Sequence, residues 1–105
     1  MREKNLSELI RSALDESGDY EHIRSRLENW MALDSRLSVA FYKGPKQRGN
    51  DEEMMSWIDT IDEPYATAKA AWEAFVQLRT EEAERTFLAA LDQLVATSKS
   101  LMGEE

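Results

Sequence analysis

The 105-residue chain has no cysteine, one histidine, two prolines and four glycines. Without cysteine there are no disulfides and no thiolate-held metal, and any zinc would fall to His22 and carboxylates alone. The same absence fits a cytoplasmic setting, which is the expectation here. Asp19 and His22 stand three residues apart, but the carboxylate-bridged di-iron bundles need two Glu-x-x-His pairs, and no second histidine exists. No apolar run approaches the roughly 18 residues of a membrane span, and the opening MREKNLSELI lacks the apolar core of a signal peptide. Phosphate-loop, dinucleotide-binding, H-E-x-x-H and EF-hand patterns are also missing. β-branched residues are scattered without alternation, so no strand is expected. With so little catalytic apparatus, neither an enzyme nor a cofactor or metal site is expected.

What the chain does have is charge and helical period. Net charge is −8. Residues 1 to 48 carry nine Lys/Arg against eight Asp/Glu and residues 49 to 105 carry four against thirteen, so the second part holds a balance of −9. No basic residue occurs between Gly49 and Ala68. Phosphate binding needs Lys and Arg to release counterions, so direct contact with nucleic acid or an anionic membrane is not expected. A protein with a basic or apolar surface is the partner this charge favours, although acidity also serves simply to keep a small protein dispersed.

Asn5 with Glu8 forms a capping pattern, and Leu6, Leu9, Ile10, Ala13 and Leu14 recur at helical spacing, predicting a short first helix that ends before Gly18. Asp19 is the expected cap of a second helix over about residues 20 to 43, with Ile23, Leu27, Trp30, Leu33, Leu37 and Phe41 on one stripe and Gly44-Pro45 as its stop. Asn50 with Glu53 opens a third segment. Its seam of Met54, Ile58, Ile61, Tyr65, Ala68, Trp72, Phe75 and Arg79 keeps phase through Pro64, which predicts either one long kinked helix or two. Thr80 caps a last helix carrying Phe87, Leu91, Leu94 and Leu101, ended by Gly103. The expected fold is all-α, an antiparallel bundle of four helical segments forming one domain over residues 1 to 105. Its first helix is too short to cover the others, and pairing with a second copy is one way to supply the missing layer.

Three groups stand out as candidate sites. Asp51, Glu52, Glu53, Met54, Met55, Trp57, Asp59 and Asp62 form the expected partner-binding surface, because methionines and an edge tryptophan suit helix recognition and the acids suit a basic partner. Helix-dipole chemistry alone also accounts for acids in a first turn. Asp34 lies within the apolar stripe of its helix and so needs a partner, for which Arg79 is the expected choice, as a buried pair fixing register. Lys43, Lys46 and Arg48 form a basic connector that has the charge for an anion but lacks the interleaved aromatics of a nucleic-acid surface. GDYEHI and the Ala83, Phe87, Ala90, Leu91 spacing are each similar to fragments of a tetratricopeptide repeat, but they do not recur at its period of about 34 residues and assign no family. The leading expectation is a non-enzymatic interaction module, whether adaptor, chaperone-like or inhibitory subunit. An acidic nucleic-acid mimic and a small-ligand or catalytic protein centred on Asp34 are the alternatives.

Overall fold

The computed structural model describes residues 4–103, which form an all-α bundle of four helices with no strand among them. The helices are α1 (Leu6–Glu16), α2 (Arg24–Phe41), α3 (Asp51–Leu78) and α4 (Glu81–Leu101). Three begin where a side chain satisfies an orphan amide: Asn5 accepts from Glu8 N–H at 2.9 Å, Asn50 from Glu53 N–H at 3.0 Å and Thr80 from Ala83 N–H at 3.1 Å. The exception is α2. Asp19 does not cap it; a 3₁₀ turn over Glu21–Ile23 leads in instead, while the Asp19 carboxylate is taken by Arg79.

α3 is one helix of 28 residues with Pro64 inside it, so the apolar phase outweighs the proline's missing hydrogen bond. A two-residue connector, Arg79-Thr80, turns the chain into α4. Arg79 adopts the left-handed conformation at φ 55°, which closes α3 abruptly enough for α4 to pack back along it. The run is antiparallel: Phe75 stacks on Phe87 at 6.2 Å near the connector, and Ile61 and Leu101 line one cleft at the far end.

The core sits at the connector end. Leu6, Ile10 and Leu14 of α1, Tyr20, Ile23, Leu27 and Trp30 before and within α2, Ala68, Trp72 and Phe75 of α3, and Phe87, Leu91 and Leu94 of α4 form one buried cluster. Trp72 is its centre, with ring centroids 5.0 Å from Phe87, 5.1 Å from Tyr20 and 5.9 Å from Phe75. Such tilted and edge contacts add roughly 0.5–1.5 kcal/mol per pair beyond burial. No described helix is long and apolar enough to cross a membrane.

α1 fills the groove between α2 and α3, and two hydrogen bonds fix its place. Tyr65 Oη accepts from Leu6 N–H at 2.8 Å, and Ser7 Oγ donates to Asp34 Oδ2 at 3.1 Å, so adjacent residues tie α1 to both walls. At its other end the Leu14 carbonyl accepts from Arg24 at 3.4 Å, which sets α1 antiparallel to α2. Eleven residues span only about 16 Å, against about 42 Å for α3.

Candidate interaction cleft

Beyond the N-terminal end of α1, the groove is open among the described residues. Beyond Ser7 and Tyr65, the walls continue as Leu37, Ser38, Phe41 and Tyr42 on the α2 side and Ile61, Ile58 and Trp57 on α3, with Leu101 of α4 closing the base. Together they line a cleft of about 250 Å³ that is almost wholly apolar. Phe41 and Trp57 face each other at 6.1 Å. On the lips, Tyr42 is 61% exposed and Ile58 45%, which places two large side chains in solvent around one opening.

The end of the cleft is shaped by the basic connector. Pro45 has no amide to offer the Phe41 carbonyl, and the chain kinks within Tyr42–Lys46 at Gly44, whose φ −97°, ψ −106° is not helical. Gly44 therefore breaks the helix, as Gly44-Pro45 was expected to do. A short further turn follows and closes at Gly49, at φ 66°, in a full Schellman motif: Gly49 N–H reaches the Lys46 carbonyl and Asn50 N–H the Pro45 carbonyl, each at 3.1 Å. Asn50 then caps α3, so no slack separates the two helices, and Pro45 is fully buried beneath the turn.

This packing gives the connector's charges local work. Arg48 pairs with Glu53, and Lys46 Nζ lies 4.9 Å above the Tyr42 ring. Lys43 remains exposed beside the kink. The three cations thus sit beside the cleft on separate duties rather than converging on one anion.

The residues expected to bind a partner divide around α3. Met54 and Trp57 are half-buried and turn toward the bundle. At 100° per residue Asp51, Met55 and Asp62 share a flank with Ile58, whereas Glu52 and Asp59 lie on the back of the helix. Glu53 is engaged with Arg48. Phe41, Tyr42, Leu37, Ile61 and Leu101 were not on the expected surface, yet they complete it; their signal was a stripe that continues past the reach of the first helix.

The expected Asp34–Arg79 pair is not formed. Arg79 sits at the end of α3, where its guanidinium binds Asp19 and lies 5.6 Å over the Tyr20 ring. Asp34 is ten residues along α2 from Arg24, about 15 Å away along the axis, and takes its hydrogen bond from Ser7 instead. Burial raises the Asp34 carboxyl above its ordinary value, and the Ser7 hydroxyl partly opposes this. The Arg79 partnership lowers Asp19. Asp34 does not line the apolar cleft. His22, in the 3₁₀ turn, contacts Glu84 of α4 at 2.5 Å. Among the described residues no cluster of three His, Asp or Glu has a metal-binding arrangement.

Comparison with family models, with curated proteins and with solved structures finds no match for this chain. The chemistry of the cleft must therefore carry the functional reading.

Proposed function

We propose that the protein is a non-enzymatic interaction module that binds an apolar surface of another protein in the cleft between α2 and α3. One observation carries the reading: among the described residues an apolar groove is filled by α1 along one part and open along another, with Tyr42 and Ile58 exposed at its mouth. Leaving that much apolar surface in water is unfavourable, by about 25 cal/mol for each Å². Occupation by a partner recovers that term.

The test is comparative capture from native extract with the wild type and with Ile58→Glu. Because Ile58 is 45% exposed, the substitution leaves the core alone while placing a charge at the mouth. The proposal expects a stoichiometric protein held by the wild type and lost by the variant, with nuclease making no difference. Equal recovery by both chains contradicts it. The nucleic-acid mimic places contact on exposed carboxylates instead, so neutralising Glu52, Asp59 and Glu63 on the back of α3 abolishes capture under that alternative and spares it under this one.

A further inference from the structure

We infer that the occupant of the cleft is an amphipathic helix from another protein that seats about one turn in line with α1 and turns a Lys/Arg-bearing flank toward α3. This rests on the interaction reading above and adds the shape, length and charge of the partner.

Shape follows from continuity with an interface the protein already makes. Between the same two walls, α1 inserts Leu6, Ile10 and Leu14, a ladder at four-residue spacing, and all three are buried. The open stretch runs from Ile61 to Trp57 on α3 and from Leu37 to Tyr42 on α2, or about 6–8 Å of helix axis. A seat of that length between the same walls accepts about one turn, hence two bulky apolar side chains at i, i+3 or i, i+4. An extended strand has no exposed backbone edge to pair with here, because every wall is helical.

Charge follows from the two rims. On the α3 side, Asp51 and Asp62 flank Met55 and Ile58, all four exposed, and no basic residue occurs on that helix before Lys69. On the α2 side, Lys46 is held over Tyr42. A helix entering with its basic flank toward α3 meets two carboxylates; the reversed orientation brings it against Lys46. Carboxylate pairing and avoidance of like charge therefore select the same pose.

The experiment uses the full chain and two synthetic helical peptides that share one apolar face, one with Lys/Arg on its flanks and one with Glu, titrated by calorimetry at two salt concentrations. The basic peptide should bind wild type and not Ile58→Glu. Its affinity should fall with salt, and Asp51→Asn and Asp62→Asn should each weaken it roughly 1.5- to 5-fold, the range for exposed ion pairs. Thermal unfolding of each variant checks that the fold is retained. If the Glu peptide binds as well as the basic one, the charge assignment fails while the interaction reading stands. If neither binds and the wild type sediments as a dimer that Ile58→Glu converts to monomer, a second copy is the occupant and this inference is overturned. A monomer that binds neither peptide overturns both.

Discussion

Pro64 stands where the closed half of the bundle meets the open half, and replacing it by alanine should stabilise the protein. Within α3 the proline has no N–H for the Thr60 carbonyl, and Thr60 Oγ1 donates back to the Ser56 carbonyl at 2.7 Å, a local bond that bends helices rather than extending them. Interior proline disfavours a helix by about 3 kcal/mol relative to alanine. Two effects oppose the gain. Proline stiffens the unfolded chain, worth about 0.4–1 kcal/mol, and its half-buried ring packs in the groove beside Ala90 and Thr97, worth about 0.8 kcal/mol for roughly one methylene of net burial. The difference leaves Pro64→Ala more stable by about 1.5 kcal/mol. At this chain length that is a rise in Tm of roughly 6–12 °C, readable by circular dichroism and checked by urea titration with an unchanged slope. A variant equal to or less stable than the wild type refutes the reasoning, because the ring contacts would then outweigh a backbone hydrogen bond and the helix would need its bend.

Three further substitutions test other parts of the fold. Tyr20 is 2% exposed, and its hydroxyl finds no hydrogen-bond partner among the described residues, so Tyr20→Phe should keep the contacts with Trp72 and Phe75 and raise the urea midpoint by the equivalent of about 1 kcal/mol. A lower midpoint would mean the hydroxyl is satisfied. Asp34→Asn should stabilise at neutral pH: the folded-state pKa is raised, so the stability that protonated Asp34 contributes is full below the unfolded value of 3.8 and is lost as pH rises through the folded value. The variant's advantage should therefore vanish on acidification below that range; an advantage independent of pH would disprove burial as its source. Arg79 is left-handed at φ 55°, so Arg79→Gly should be more stable than Arg79→Ala by about 1 kcal/mol, since both lose the Asp19 and Tyr20 contacts and only alanine keeps the backbone strain. Equal melting of the two variants would remove strain from the account of this turn.

What could be read in the chain was local. The caps at Asn5, Asn50 and Thr80 act within three residues, and the seam through Pro64 is a phase relation within one helix; both carried over into the structure. What escaped depended on distance along an axis. A helical wheel reports which way Asp34 and Arg79 point, not that one lies far up α2 while the other lies at the end of α3 beside Asp19. Gly44-Pro45 was legible as the break after α2, whereas the extra turn from Pro45 to the left-handed Gly49 was not.

The cleft lies between these cases, since its existence follows from lengths that sequence does supply. A first helix of about 16 Å laid against a third of about 42 Å leaves more than half of the longer helix beyond its reach. α4 covers one side of that remainder. On the other side the apolar stripe does not fade: Leu37 and Phe41 extend it on α2, and Trp57, Ile58 and Ile61 extend it on α3. A chain needing only to stay folded would gain by turning those positions polar, as it does on the back of α3 with Glu52, Asp59 and Glu63. Keeping them apolar past the end of α1 provides a seat longer than the helix that partly fills it, and that surplus supports a partner helix over a purely structural role for Trp57.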